Sequence, residues 1–369
     1  MKAILKRSVV FALALALAVG AFAGCKRTPS KITDYASTVV ATYGDENIYL
    51  DEANFYARLQ QYYSEAIYSS YYGEDFWSMD VSGKTLEAST KENVMAAILQ
   101  TRVLIEHAGE YNVSLTEEDK EKVKKTAAEF FSENEKSLKE AVNLTEERLY
   151  EILEKNALAM KVWAAVVADV DTNVPEEEAR QVTVKYILIK DKEDDVDYAK
   201  NTADSLVERM NSGESIDDIA AADDSFTVNT ASYTRNDPNA TGLAAVAAPM
   251  ATDENKTGYI EGTGAYAIHC VTDFDKDKTE QKKESVIEAR KDDLFEKAYA
   301  GWKDSIKEFK VVDEVWDQIV FEGKPIFSTE AATEPSKESA PESSSETGSE
   351  PGTESSSEGT DESSAQTNQ

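Results

Sequence analysis

The chain has 369 residues, and its 71 Asp and Glu outnumber its 39 Lys and Arg, which gives a formal net charge of −32. This surplus of negative charge repels phosphate groups and argues against a nucleic-acid-binding function. The two histidines and two cysteines, Cys25 and Cys270, are too few for a zinc site or a disulfide framework. We therefore expect no metal and no cofactor, and the length is sufficient for two domains.

The first 24 residues have the pattern of an export signal. A basic start is followed by an apolar run over residues 9–23. That run is short for a membrane span, and its length is typical of the apolar part of a signal peptide. We predict that residues 1–24 direct the chain out of the cytoplasm and are then removed.

A cysteine stands directly after two small residues at the end of this leader. The sequence Phe22-Ala23-Gly24-Cys25 resembles the lipobox of bacterial lipoproteins, with Phe22 where Leu is usual. The resemblance implies that Cys25 carries a lipid anchor at the outer face of the cell membrane, because two acyl chains anchor a protein stably. Residues 25–38 would be the tether. A signal peptide with a chance cysteine, or an uncleaved anchor, are the alternatives.

Residues 39–177 are predicted to form a helical domain that starts with a β-hairpin. The hairpin has strands at Val39–Tyr43 and Asn47–Leu50 around a Gly-Asp-Glu turn. A helix capped by Asp51 follows, and apolar residues at helical spacing continue to about Asp169. Within this block, Thr116 and Asp119 have the spacing of a helix N-cap.

The segment Tyr68–Trp77 is dense in aromatic residues. Such residues either fill a core or line an apolar groove that takes unfolded polypeptide. The sequence alone leaves both interpretations open, with the core as the more common role.

Residues 178–274 have a different pattern, which is typical of a small antiparallel sheet with helices. Gln181–Lys190 alternates as a strand, helices are predicted over Asp197–Asn211 and Ser215–Ala222, and Ala265–Val271 is a closing strand. Residues 275–327 return to helix, and we expect this last helix to pack against the first block. The predicted fold class is α+β, with a helical domain formed by N- and C-terminal segments and an inserted sheet domain.

The last residues, 328–369, consist mainly of Ser, Glu, Thr, Gly and Pro. This composition predicts a disordered, self-repelling acidic tail. It is either a spacer or an inert solubilising extension.

Three motifs in the region 178–274 carry a resemblance to a known family. Gln181–Lys190 resembles the opening strand of parvulins, Gly213–Ala220 their G-x-x-F-x-x-L-A segment, and Gly264–Val271 their closing strand. Together with the lipobox, this order resembles the PrsA-type foldases and the related SurA-like chaperones. The resemblance implies a chaperone domain with an inserted parvulin-type peptidyl-prolyl isomerase domain that acts on unfolded or newly exported polypeptides.

The residues at the parvulin active site differ, however. Parvulins have two facing histidines, and these positions are occupied by Tyr186 and Ala267 in our alignment, which has one extra residue in the glycine turn of the closing strand. Asn229 stands where an Asp or Cys is usual. His269 shares the face of Ala267 on a strand and would partly replace an imidazole, although a lone strand histidine is more often only packed. The catalytic residues therefore stay unassigned, and the candidate peptide-binding pocket consists of Tyr186, Asn229, Tyr233, Met250, Tyr266 and His269.

One acidic segment has the spacing of a calcium loop. Asp273, Asp275, Asp277 and Glu284 stand at positions 1, 3, 5 and 12 of such a loop, but Lys278 replaces the glycine that the turn requires. We interpret it as an acidic strand-to-helix junction.

Three functions compete on this pattern. The first is a membrane-anchored foldase of the peptidyl-prolyl isomerase class that assists exported proteins. The second is a holdase chaperone whose parvulin-like domain has lost its chemistry, and the third is a lipoprotein of envelope assembly or solute capture. The replaced histidines favour the second over the first for the chemistry itself.

Overall fold

The computed structural model describes residues 32–192, 195, 197–235, 237–321 and 327. The predicted signal peptide, the lipidation site Cys25, residues 25–31 of the predicted tether and the acidic tail over residues 328–369 lie outside the described residues.

The described chain contains both β-strands and α-helices, with a run of helices between the two main sheets. The strands are β1 (Val39–Tyr43), β2 (Glu46–Tyr49), β3 (Asp80–Val81), β4 (Lys84–Thr85), β5 (Gln181–Ile189), β6 (Val228–Thr234), β7 (Asn255–Ile260), β8 (Gly264–Thr272) and β9 (Phe309–Val311). The α-helices are α1 (Leu50–Tyr72), α2 (Leu86–Glu106), α3 (Glu117–Ser137), α4 (Glu146–Val166), α5 (Glu176–Ala179), α6 (Tyr198–Asn211), α7 (Ile216–Ala221), α8 (Gly242–Ala247), α9 (Lys276–Trp302) and α10 (Asp313–Trp316). The predicted mixture of helices with small antiparallel sheets is confirmed.

A three-stranded antiparallel sheet joins the two ends of the chain. Its order is β2-β1-β9, and Tyr43 of the predicted hairpin pairs with Phe309. The hydrophobic core beneath it includes residues of α1, α2 and α4 as well as Phe295 and Trp302 of α9 and Phe321 near the C-terminal end of the described chain. The helical body is thus built from both chain ends, whereas the exact domain boundaries at 178 and 274 stay a prediction.

Threonines begin three of the long helices. Thr85, Thr116 and Thr145 each accept a hydrogen bond from a backbone N–H in the first turn, and Thr116 forms a reciprocal capping box with Asp119 as predicted. The helix that Asp51 was expected to cap begins at Leu50, so Asp51 lies inside its first turn. The Asp51 carboxylate is buried and forms an ion pair with Arg148 of α4 at 2.9 Å.

The second main sheet has the order β6-β5-β8-β7, and all its neighbours are antiparallel. Helices α6 and α7 cover one face at Ile187 and Ala267, while α8 and the segment after it cover the other face at Val184 and Ile268. We call the second face the tyrosine face because Tyr186, Tyr233 and Tyr266 lie on it.

The acidic junction between β8 and α9 fastens this sheet to the long helix. Asp273 pairs with Arg180 at 3.0 Å, and Asp275 caps α9 while accepting a hydrogen bond from Thr183 at 2.7 Å. These contacts match the junction role that the sequence favoured for this segment. Within the described ranges, no helix combines the length and apolar character that a membrane span requires.

Candidate functional site

Two tyrosines face each other on neighbouring strands of the four-stranded sheet. Tyr186 lies on β5 and Tyr266 on β8, and their ring centroids are 5.7 Å apart with the ring planes tilted by 57°. Tyr186 is half-buried, whereas Tyr266 is 7% exposed. Tyr186 therefore forms the more accessible part of the pair.

Ala267 lies on the opposite face of the sheet. It pairs with Ile187 across the strands and packs in the cluster under α6 and α7, because successive residues of a strand point to opposite faces. The expectation that Ala267 faces Tyr186 is therefore wrong, and Tyr266 is the residue that does so. The alignment placed an extra residue in the turn before β8, which shifted the parity of the strand by one.

His269 is also remote from the tyrosine face. It shares the face of Ala267, as predicted, and its Nδ1 lies 2.8 Å from Oδ1 of Asn255. Asn255 in turn donates to Asn211 of α6 at 3.0 Å. His269 therefore belongs to a polar contact on the face that α6 and α7 cover, so it does not replace an imidazole beside Tyr186.

Strand β6 brings two further predicted residues to the tyrosine face. Asn229 pairs with Tyr186 and Tyr233 pairs with Val182, and paired residues of antiparallel strands share a face. Tyr233 is half-buried, while the exposed Asn229 side chain donates to the carbonyl of Thr227 at 3.2 Å. The structure thus groups Tyr186, Asn229, Tyr233 and Tyr266, and their role in peptide binding stays a proposal.

Met250 and Cys270 form the floor beneath this group. Both are 0% exposed and pack with Val182 and Val184. Met250 is therefore not accessible to a bound peptide, although we expected it to line the pocket. Burial raises the pKa of the Cys270 thiol to about 11, with a smaller contribution from Asp273, which leaves the thiol protonated and unreactive near neutral pH.

Within the described residues, the tyrosine face has phenol hydroxyls as hydrogen-bond donors and no histidine side chain. Burial, followed by the neighbouring Tyr186, raises the pKa of Tyr266 and of Tyr233. A phenol that stays protonated can donate to an amide carbonyl, but it does not act as a general base at neutral pH. The arrangement is suited to binding peptide groups by hydrogen bonds and apolar contact.

The aromatic segment Tyr68–Trp77 divides between the two expected roles. Phe76 and Trp77 are 2% and 6% exposed, and Trp77 packs on Phe321 with ring centroids 4.7 Å apart. Tyr68 and Tyr72 are 45% and 59% exposed, and their rings are 6.3 Å apart. Met79 and Val81, which follow directly in the chain, are each 43% exposed. We call Tyr68, Tyr72, Met79 and Val81 the exposed apolar set.

A groove of about 1020 Å³ in the helical body was not predicted from the sequence. Its apolar lining comes from Ile105, Val113 and Leu158, and its rim carries ion pairs. Lys307 contacts Glu106 at 2.8 Å, and Lys307 together with the Tyr43 hydroxyl holds the pKa of Glu106 below its ordinary value. These residues are far apart in sequence, so no local motif could have brought them together.

Comparison with known proteins gives one informative sequence match. No family model matches the chain. The chain is 25% identical over 232 residues to a foldase protein PrsA of Caldanaerobacter subterraneus subsp. tengcongensis, a match that covers 62% of this chain and 67% of the relative.

Solved structures give weaker likenesses. A PrsA peptidylprolyl isomerase of Bacillus cereus is 15% identical with a TM-score of 0.32, covering 62% of this chain and 86% of its own. One of two structurally related SurA-like chaperones of Campylobacter jejuni is 10% identical with a TM-score of 0.27, and the match covers 75% of this chain and 100% of that one. The chain is therefore similar in sequence to a PrsA foldase, in agreement with the family resemblance of its motifs.

Proposed function

We propose that this chain is an extracytoplasmic foldase chaperone that is anchored through a lipid on Cys25 and binds unfolded polypeptides at the outer face of the cell membrane. The sequence similarity to a PrsA foldase supports the class of function. The leader that ends at Cys25 supports the location.

The exposed apolar set is the observation that carries the proposal. The chain is highly charged, with a net charge of −32, yet it exposes several large apolar side chains that are close together in sequence. These are Tyr68, Tyr72, Met79 and Val81. Tyr68 and Tyr72 form an exposed pair with ring centroids 6.3 Å apart, and such a pair is available to an apolar partner, because contact with that partner removes the rings from water. Unfolded polypeptide supplies such apolar partners.

We further propose that the sheet domain binds peptide with little or no isomerase turnover. Rotation about a prolyl bond has a barrier of about 20 kcal/mol, and a catalyst must stabilise the twisted amide more than the planar one. The Tyr186–Tyr266 pair supplies hydrogen-bond donors where the parvulin resemblance implies imidazoles. This favours the holdase function over the isomerase function.

Suppression of client aggregation tests the chaperone function. The double variant Tyr68→Ser with Tyr72→Ser should protect a chemically unfolded client clearly less than the unchanged chain does, as light scattering measures. Tyr259→Ser is the matched control, because Tyr259 is 41% exposed but lies on β7 of the sheet. Equal loss of protection in both variants, or none in either, would contradict the role of the exposed apolar set.

A protease-coupled assay on a prolyl peptide separates the holdase from the isomerase. We expect isomerisation at the uncatalysed rate even when the chaperone is in excess. A clear acceleration that Tyr186→Phe abolishes would restore the isomerase interpretation.

A further inference from the structure

The strand β6 is an open edge of the four-stranded sheet. It lies at one end of the order β6-β5-β8-β7, and within the described residues its strand partner is β5. An edge strand presents a row of backbone N–H and C=O groups that are available to another strand. The edge is seven residues long, which is enough to pair with a full strand.

The hydrogen-bond register identifies which of these groups face outward. The N–H of Arg235 donates to the carbonyl of Arg180 at 2.8 Å, next to the end of the β5–β6 ladder. In an antiparallel ladder the hydrogen-bonded pairs alternate, so Asn229, Ala231 and Tyr233 bond to β5. The N–H and C=O groups of Thr230 and Ser232 therefore point away from the sheet.

The edge lacks the features that usually prevent strand pairing. Its sequence Val228-Asn229-Thr230-Ala231-Ser232-Tyr233-Thr234 has no charged residue and no proline. The opposite edge, β7, carries Lys256 in an ion pair with Glu254, and Lys200 of α6 lies over the ring of Tyr259. Charged edges of that kind disfavour pairing, so β6 is the edge that stays open to a partner.

We propose that β6 binds an extended segment of a client polypeptide by strand addition, with the bound segment antiparallel or parallel to β6 beside the tyrosine face. The inference rests on the proposed chaperone function and assigns a binding mode to it. Backbone hydrogen bonds supply affinity that does not depend on the client sequence, and the two faces of the sheet select side chains.

The two sides of β6 define the kind of segment that fits. On the tyrosine face, Tyr233 packs with the apolar cluster of α8 and half-buried Tyr186. On the other face, Val228 packs against the cluster under α6 and α7, and the residues after it carry hydroxyls at Thr230, Ser232 and Thr234. Ser232 Oγ lies 2.8 Å from Thr183 Oγ1. A segment that alternates apolar and small polar side chains matches both faces, which is the pattern of a half-buried strand in an unfolded client.

Charge favours a client over a second copy of this chain. Two copies that pair edge to edge bring together two bodies that each carry a net charge of −32. An unfolded segment of low charge meets no such repulsion at the uncharged edge.

A peptide with selective N-methylation tests the proposal without changing the protein. The probe is a capped, fluorescently labelled nine-residue peptide of alternating Val and Thr, and fluorescence anisotropy measures its binding to the full chain in detergent. Cross-strand pairs share a face, so in the antiparallel arrangement the Thr amides of the peptide meet Thr230 and Ser232. Methyl groups on the Thr amides should therefore abolish binding, whereas methyl groups on the Val amides should leave binding unchanged. In the parallel arrangement, too, only one of the two residue types donates its amides to β6. In either arrangement, one methylated peptide must bind and the other must not.

Substitutions at Thr230 provide the complementary test. Thr230→Pro removes one outward N–H, while the bonds to β5 come from neighbouring residues, and it should weaken peptide binding by about tenfold. Thr230→Val keeps the N–H and should bind within about twofold of the unchanged chain. Amide exchange at Thr230 and Ser232 should also slow when the unmethylated peptide binds.

The outcomes separate this inference from the proposed function. Equal binding of both methylated peptides, or no binding of any peptide, overturns strand addition, and continued suppression of client aggregation then leaves the chaperone function intact. If aggregation suppression is absent as well, both proposals fail. Amide exchange without peptide is the last control. If exchange at Thr230 and Ser232 slows as the protein concentration rises, the edge pairs with a second copy of the chain, and the inference is overturned.

Discussion

The Nη2 atom of Arg102 donates to both carboxylate oxygens of Glu52, each at 2.9 Å, and joins α2 to α1 inside the helical body. The two side chains are 2% and 3% exposed. The Nε atom of Arg102 reaches Glu46 of β2 at 2.9 Å, and Nη1 is buried with no hydrogen-bond partner among the described residues. The pair therefore fixes the relative position of the elements that flank the groove.

Arg102→Met should lower the free energy of unfolding by about 3–5 kcal/mol, because it leaves the buried Glu52 carboxylate without its partner. The double variant Arg102→Met with Glu52→Leu should recover much of this loss, since it removes both buried charges. Lys84→Met is the control, because the Lys84–Glu92 pair is more than half exposed and should change stability by less than about 1 kcal/mol. Urea unfolding measures all three, and equal losses at Arg102 and Lys84 would contradict the assignment.

Two glycines where the turn enters β8 should respond differently to the same substitution. Gly262 and Gly264 both have positive φ, at 77° and 133°. A Cβ on Gly264 would lie 2.1 Å from the carbonyl oxygen of Ile189, whereas one on Gly262 meets nothing within 4 Å. Gly264→Ala should therefore cost about 3 kcal/mol and Gly262→Ala about 1 kcal/mol in urea unfolding. Similar losses at both positions would show that backbone strain alone, and not contact with β5, fixes this turn.

The reversed faces of Tyr266 and Ala267 give a prediction about both stability and chemistry. Ala267→His forces an imidazole into the packed cluster under α6 and α7 and should cost about 3 kcal/mol, whereas Tyr266→His should be tolerated better because the side chain it replaces is larger. The double variant Tyr186→His with Tyr266→His should accelerate isomerisation in the protease-coupled assay. A folded double variant without acceleration would show that two facing imidazoles are insufficient on this sheet.

The acid sensitivity of the helical body should depend on Asp119. Lys161 first, and then the amide and hydroxyl of Thr116, hold the pKa of Asp119 well below its ordinary value. A carboxyl whose pKa is lower in the folded chain stabilises the fold above the unfolded pKa of about 3.9, and this contribution is lost as the pH falls below that value. Asp119→Asn should lower the Tm at pH 7, and the difference from the unchanged chain should shrink below about pH 4.

Glu121→Gln is the control for this pH profile, because Glu121 is exposed on the same helix. It should leave the Tm nearly unchanged across the range. A Tm difference for Asp119→Asn that stays constant down to acid pH would assign its effect to the lost cap geometry and not to the lowered pKa.

Local signals predicted the elements well, but they did not predict which faces meet. The hairpin around Gly44 and the cap at Thr116 follow from residues within a few positions of each other, so the sequence contains the whole signal. The face of Ala267 depends on the parity of β8, and one misplaced residue in the turn reverses it.

Long-range packing accounts for the other differences. Trp77 is buried because Phe321, more than two hundred residues later, covers it, while Tyr68 on the preceding helix is left exposed. The groove likewise combines Tyr43, Glu106 and Lys307 from both chain ends. No periodicity within a segment specifies such contacts. The composition of Tyr68–Trp77 therefore could not decide which of its aromatic residues are buried and which are exposed.

The predicted anchor is tested by comparing the two cysteines of the chain. Cys25→Ala should release the exported chain from the membrane fraction and abolish incorporation of radiolabelled fatty acid, because lipidation requires the Cys25 thiol. Cys270→Ala should keep the chain in the membrane fraction with full label, since the Cys270 thiol is buried in the sheet domain. If membrane association and label persist in Cys25→Ala, the lipid is attached at another residue. The proposed anchor at Cys25 would then be wrong.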